Sequence, residues 1–321
     1  MDRSSDRLSG DREVAEADVA SAFAPASIGN VAVGYDALGC VFPAVGDRIH
    51  IRRTHTPTVR IESITGVVTD LPRDPVKNTA TKGLLQLIDE RALSFGFALT
   101  IEKGVPLGSG MGGSAASAVA AIQAASQLLD VPLARDAMFR YALQGEAVAS
   151  GALHGDNVAP SLYGGLVLTR ALDPPDVIPI PIPERIRCVL VRPHMEIETR
   201  AARRVVPDAV PLGTTVQHSA NLAGFIAGCF QGDLGLIRRS FDDVLVEPHR
   251  AHLIPGFRSV QEAARSAGAL GCSIAGAGPS LFAWCHGPDT ADRVQAAMVE
   301  AFADAGMETD AWTTDLGETV P

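Results

Sequence analysis

An α+β architecture in two domains is what this sequence predicts, and three observations carry the prediction. Strand-like and helix-like runs are mixed along the chain without strict β-α-β alternation, which disfavours a doubly wound parallel sheet. No self-similarity recurs at a period of about 20–50 residues, so a solenoid or propeller is excluded. Five prolines (Pro174, Pro175, Pro179, Pro181 and Pro183) crowd residues 174–183 and divide the 321 residues into two parts of ordinary domain size. The expected division is a tail over 1–18, an N-terminal domain over 19–173 and a C-terminal domain over 184–321.

The elements follow in order. The first 18 residues hold three arginines and six acids, the composition of a disordered tail and not of a signal peptide. Residues 19–35 begin with apolar alternation and end in a turn-rich run around Ser27, Gly29 and Asn30. Runs 48–53 and 58–64 place β-branched residues at alternate positions, as strands do. Asn78 is a good N-cap for a helix carrying Leu84, Leu87 and Ile88 on one face. Residues 96–103 alternate like a strand, a glycine-rich stretch follows, and an alanine-rich helix runs on to about Leu129. A second helix over 135–150 and a strand over 164–171 complete the first half.

The proline run suits neither a helix nor a central strand, so it reads as an extended connection. Beyond it come a strand at 187–192 and helices at 199–205, 215–231, 234–240 and 257–267. Two short strands flank Gly276–Ser280, and a helix at 290–304 and a strand at 309–314 close the chain.

Composition narrows the function. Lys plus Arg is 27 and Asp plus Glu is 37, a formal charge of −10, so bulk charge argues against a nucleic-acid partner. Any anion site must use local devices such as helix N-termini or a few placed arginines. Five scattered cysteines with no C-x-x-C spacing fit a reducing compartment, with neither disulfides nor a structural zinc. No run of about 18–20 apolar residues marks a membrane span.

Gly108, Gly110, Gly112 and Gly113 form the most informative stretch. As a dinucleotide fingerprint it is weak, because Pro106 parts the glycines from the preceding strand and two helices follow without a strand between them. A P-loop needs Gly-Lys-Ser/Thr, and none of Lys77, Lys82 and Lys103 follows a glycine. The catalytic strings of protein kinases and the G-x-S-x-G of α/β-hydrolases are absent. Phosphate binding remains. Glycines let the backbone approach a ligand and aim several N–H groups at it, and the helix starting near Ser114 adds its positive end. A flexible loop with Ser114 as a simple N-cap is the bland alternative.

The string Pro106-Leu107-Gly108-Ser109-Gly110-Met111-Gly112-Gly113-Ser114-Ala115-Ala116 resembles the nucleotide loop of the GHMP small-molecule kinases. That family usually has Gly-Leu-Gly-Ser-Ser; here Met111 stands for Leu and Gly113 for the first Ser. Residues Ala24 to Asp36 look like the family's first motif and Ala275 to Ser280 like its third, in the right order. Further features are most similar to the branch that phosphorylates the side-chain hydroxyl of L-homoserine. They are Lys77–Thr79, Gly145-Glu146, His154–Gly165, Thr199–Arg203 and Glu247–Arg250. The resemblance implies a ribosomal S5 domain 2-like N-terminal domain and a ferredoxin-like C-terminal domain. It also implies ATP, Mg²⁺, a cytoplasmic enzyme of threonine biosynthesis and a homodimer.

Roles carried over from the resemblance have physical sense. Residues 106–116 and Asn78 would hold the nucleotide. Ser114 and Glu146 would hold Mg²⁺, a hard cation that takes oxygen ligands. Arg203 and Arg250 would bind the substrate carboxylate as guanidinium forks. Asp36 with Asn30 would take its ammonium, and Thr199 and His154 would add hydrogen bonds. The position that carries a catalytic Asp in other branches is matched by Asn157, whose amide cannot accept a proton at neutral pH. The expectation is therefore no dedicated base: Asn157 orients the hydroxyl, and Asp156 is the alternative base. A family member for another alcohol would carry an acid at 157 and lack the arginine pair. An inactive member would be expected to lose Ser114 or Glu146.

Overall fold

The structure, a computed structural model, describes residues 18–316. Apart from Asp18, the expected tail lies outside these residues. Two sheets organise the chain. The first has strands β1 (Val19–Gly29), β2 (Leu38–Thr54), β3 (Val59–Gly66), β4 (Gly96–Lys103), β5 (Leu166–Leu172) and β6 (Pro175–Ile180). Their order is β3-β4-β2-β5-β6, with β1 paired to β2. Against it pack α1 (Thr79–Arg91), α2 (Gly113–Gln127), α3 (Arg135–Ser150) and α4 (Val158–Tyr163). The three longer helices meet one another through small and aliphatic side chains. Ala118, Ala121, Ile122 and Ala125 of α2 are buried there, with Leu84 and Leu87 of α1 and Phe139 of α3.

The second sheet has β7 (Ile186–Pro193), β8 (Gly271–Ile274), β9 (Leu281–His286) and β10 (Thr309–Asp315) in the order β10-β7-β9-β8, with every pairing antiparallel. That order and its crossovers make a ferredoxin-like unit. Helices α5 (Thr199–Arg204), α6 (Leu212–Gln231), α7 (Leu234–Ser240), α8 (Glu247–Arg250) and α9 (Phe257–Ser266) fill the first crossover, and α10 (Pro288–Asp304) the second. A second core joins the two halves. In it Phe42, Cys40 and Leu38 of β2 share a cluster with Trp284, Phe225 and Cys188.

Three features depart from the sequence reading. The strand expected at 48–53 is the second half of β2, whose first half pairs with β1 and β5. Glycines and Pro43 hid it, and the register of β1 slips between Pro25 and Ala26 to accommodate the bend. The proline run is not only a connection. Residues 175–180 form β6 on the sheet edge, where a missing N–H is tolerated. Helix α4 was not expected; it follows Asn157 for six residues and encloses Pro160. All five cysteines are free and buried.

Candidate active site

A cleft of about 780 Å³ lies where the two halves meet, and the glycine loop forms one wall. The loop takes its shape from backbone conformations that only glycine adopts cheaply. Gly108, Gly110 and Gly112 have φ of +57°, +79° and +66°. A Cβ on Gly110 would sit 2.4 Å from the Ala275 carbonyl oxygen, and one on Gly112 2.1 Å from Ser27 Oγ. The loop is thus wedged between β1 and the turn after β8. Its carbonyls turn into the protein: Gly108 O accepts from Ile197 N (3.1 Å), Ser109 O from Ser280 N (3.2 Å) and Met111 O from Ser27 N (3.1 Å). Helix α2 then starts at Gly113 without any side-chain cap. Uncapped N–H groups and the helix dipole give this end of the cleft a preference for anions.

Ser114, on the first turn of α2, faces Glu146 of α3 across the cleft floor. Glu146 is 7% exposed and its Oε2 has no hydrogen-bond partner. Burial pushes its carboxyl up to about 7, nearby Asp156 pushes the same way, and the Ser114 hydroxyl and Arg203 pull down. An orphaned buried carboxylate beside a hydroxyl, at the mouth of a phosphate-sized cradle, suits a hard divalent ion. Among the described residues no group of three His, Cys, Asp or Glu could hold a metal by itself. Any ion here would therefore complete its shell with phosphate oxygens and water, as Mg²⁺ commonly does.

The other end of the cleft is charged in both signs. Arg203, on α5, clamps Asp36 with two bonds, Nη2 to Oδ1 at 2.7 Å and Nη1 to Oδ2 at 3.0 Å. Nη1 also reaches the Tyr35 hydroxyl at 3.2 Å. Arg250, on α8, is buried and donates to the carbonyls of Ala202 (Nε, 3.0 Å) and Gly276 (Nη1, 3.0 Å). Both guanidiniums lie over the Tyr35 ring, at 5.7 and 5.4 Å from its centroid, a cation–π arrangement. Asn30 is committed at both ends: its Nδ2 donates to Gly276 O (2.9 Å) and its Oδ1 accepts from Asp36 N (3.0 Å).

That loop is strained. Asn30, Val31, Ala32 and Asp36 all have left-handed φ, and a β-branched valine at +41° is a true outlier. His154 Nδ1 lies 3.6 Å from Asp36 Oδ2, while its Nε2 is buried without a partner. Burial, with Arg203 adding to it, lowers its pKa against the pull of Asp36. Asn157 Oδ1 accepts from Ser27 Oγ at 3.0 Å, and its Nδ2 lies 3.4 Å from Asp156 Oδ2. Asp156 is buried with Oδ1 unpartnered, and burial raises its carboxyl to about 7.

The cleft gathers Asn30, Asp36, Ser114, Glu146, His154, Asn157, Thr199, Arg203 and Arg250, together with loop residues 106–110 and 112–114. Four expected nucleotide contacts stand elsewhere. Met111, Ala115 and Ala116 are buried in the cores. Asn78 caps α1, its Oδ1 accepting from Ala80 N, and its neighbour Thr79 lines the cleft instead. Tyr35, Lys103, Glu196, Ile197, Glu198 and Arg200 line the cleft without having been assigned a role, and Asp156, the alternative base, lines it as well. Tyr35 had a signal, its place between Gly34 and Asp36. The 196–198 segment had none, because its contact with Gly108 joins two halves of the chain.

Residues 78–165 match the GHMP kinases N terminal domain and residues 225–304 the GHMP kinases C terminal domain. The chain is 50% identical over 297 residues to the homoserine kinase of Xylella fastidiosa (strain 9a5c), covering 92% of this chain and 91% of that protein. It is 48% identical over 297 residues to the homoserine kinase of Xanthomonas campestris pv. campestris (strain B100), with the same coverage. The crystal structure of homoserine kinase from Cytophaga hutchinsonii superposes with a TM-score of 0.90 at 39% identity, over 95% of this chain and 97% of that one. At 17% identity and a TM-score of 0.69, over 91% of this chain and 95% of that one, the L. major mevalonate kinase shares the fold.

Proposed function

Since the chain belongs to the GHMP kinases and, within them, to the homoserine kinases, we propose that this cleft is where it phosphorylates homoserine, and that the residues gathered there divide the work. The reaction is a step of threonine biosynthesis, and membership of the family carries the use of ATP. One observation carries the assignment of the site: a two-signed pocket, Arg203 with Asp36, adjoins a glycine cradle for phosphates.

Mg-ATP, when bound, supplies the phosphoryl group and the charge neutralisation that its transfer needs. The loop from Pro106 to Ser114 holds the phosphates, and Ser114 and Glu146 hold Mg²⁺. Arg203 and Arg250 take the carboxylate of homoserine, Asp36 its ammonium, and His154 and Thr199 add hydrogen bonds. The Arg203–Asp36 pair is replaced at both ends by a zwitterion, so neither charge is left buried alone. Asn157, held by Ser27, orients the hydroxyl. No dedicated base is required if that proton passes to the phosphoryl oxygens, with positioning doing most of the catalysis. A second reading rests on Asp156: its unpartnered Oδ1 and raised pKa fit a proton acceptor.

Residues 19–173, with the β6 edge, form the nucleotide-holding domain, and the domain from 184 onward closes the cleft. The enzyme works in the cytoplasm, where its five free thiols stay reduced. It pairs as a homodimer through α6, which exposes Leu212, Val216 and Phe230.

Homoserinol tests the substrate pocket. It keeps the hydroxyl and the amine but lacks the carboxylate, so kcat/KM should fall by a factor of about 10–150, the worth of a charge-assisted contact. Equal use of homoserinol and homoserine contradicts the arginine assignment.

A further inference from the structure

Asp47 lies on β2, outside the cleft, and is completely buried. A carboxylate in such a place costs a great deal unless every lone pair is used. Here they are used by groups from both ends of the glycine loop. Oδ1 accepts from the backbone N–H groups of Gly104 (3.0 Å) and Val105 (3.1 Å), where the chain leaves β4. Oδ2 accepts from Ser117 Oγ (2.6 Å), on the first turns of α2, and from Lys103 Nζ in a buried ion pair. The same ammonium donates to Ser117 Oγ (2.9 Å) and to the Gly113 carbonyl (3.1 Å), at the start of α2. Lys103, placed before the loop by its sequence position, is therefore folded beneath it.

The backbone joins the clamp as well. A Cβ on Gly104 would lie 2.1 Å from the Gly46 carbonyl, so β2 and the loop entrance are in direct main-chain contact next to Asp47. One carboxylate thus fixes residues 104–105 and 113–117 relative to each other, and these bracket the glycines. Replacing the pair by apolar residues could match its net contribution to stability, since buried ion pairs are weak stabilisers. What an apolar pair cannot supply is the directional hold on two N–H groups, a hydroxyl and a helix-start carbonyl at once.

We infer that Asp47 is a positioning residue for the phosphate loop: through Lys103, Ser117 and the Gly104–Val105 backbone it sets the spacing between the loop entrance and the start of α2, and so nucleotide affinity. The inference rests on the reading of residues 106–114 as the nucleotide cradle.

Two variants of the full chain test it, Asp47→Asn and Ser117→Ala, with ADP binding in Mg²⁺ measured by calorimetry and KM measured for each substrate. Asparagine keeps the size but turns an NH₂ toward Lys103. It should weaken ADP binding and raise the ATP KM about ten-fold or more, because a misplaced cradle loses contacts throughout. Ser117→Ala should do the same by about three-fold or more, since it removes two hydrogen bonds of the clamp and leaves the Asp47–Lys103 pair in place. The homoserine KM should change by less than about two-fold in both, since that pocket rests on other elements. Unchanged ADP affinity in a folded Asp47→Asn protein overturns the inference. So does an equal loss of affinity for both substrates, which would mean general loosening. If Asp47→Asn fails to fold, Ser117→Ala decides alone by the same two criteria. A parent protein that binds no ADP at all removes the nucleotide reading itself, and this inference with it.

Discussion

Arg203 and Asp36 hold each other in a bidentate pair, and that pairing shapes what each substitution should do. Arg203→Leu leaves Asp36 without its guanidinium partner and the substrate carboxylate without its fork. The kcat/KM for homoserine should fall at least about ten-fold with the ATP KM unmoved, and steady-state kinetics over both substrates checks this. A rise in the ATP KM instead would move Arg203 to the phosphate side. Asp156 gives a pH prediction. Its carboxyl is raised from 3.8 to about 7, chiefly by burial. Between those values the folded protein keeps a proton that the unfolded chain releases. The stabilising contribution is therefore complete below the lower value and is lost as pH rises through the upper one. Asp156→Asn should flatten the decline of Tm between about pH 4 and pH 7, and calorimetry of parent and variant reads the slope. Single-turnover rates against pH then separate the two proton routes. An acidic limb that survives in Asp156→Asn agrees with Asn157 as orienter, and one that vanishes with most of the activity makes Asp156 the base.

At the scale of elements, the glycine loop and its neighbours decide nucleotide binding. Gly110 combines φ +79° with carbonyl oxygens 2.4 and 2.7 Å from where a Cβ would sit, so nothing flexible can yield. Gly110→Ala should lower Tm and cut ADP affinity by about ten-fold or more, the result of both strain and a shifted loop. Normal ADP binding in that variant would show that the loop's shape is not what holds the phosphates. These glycines were legible in the sequence because turn chemistry is local. So was Asn78 as a cap, with its side chain accepting from Ala80 N. The first half of β2 was not, since Gly39, Pro43 and Gly46 interrupt the alternation and only pairing with β1 and β5 makes it a strand. Residue 47 looked like any acid beside a glycine. Its partners Lys103 and Ser117 are 56 and 70 residues away, and no spacing in one sequence announces such a clamp.

Taken whole, the molecule is two sheets joined by a shared core, with the cleft at their junction and its two chemistries supplied from both halves. The loop and Glu146 come from the first half, while Arg203, Arg250 and Gly276 come from the second. The fold class and the order of motifs were readable along the chain, but the meeting of residues 196–200 with the loop depends on how the halves pack. Helix α6 lies on the outer side of this arrangement. Leu212 and Phe230, 78% and 62% exposed, are five helical turns apart and so share a face. The parent should run as a dimer of the 33.5 kDa chain in light scattering, and Leu212→Glu with Phe230→Glu as a monomer. A parent already monomeric, or a variant still dimeric, would place the contact elsewhere or remove it. The substrate itself is tested most directly by ADP release with Mg-ATP across four alcohols: homoserine, mevalonate, shikimate and galactose. Turnover with homoserine exceeding that with each of the others by at least about a hundred-fold is the predicted result, since only homoserine carries both charges for the Arg203–Asp36 pocket. Comparable or faster turnover with any of the other three would contradict it.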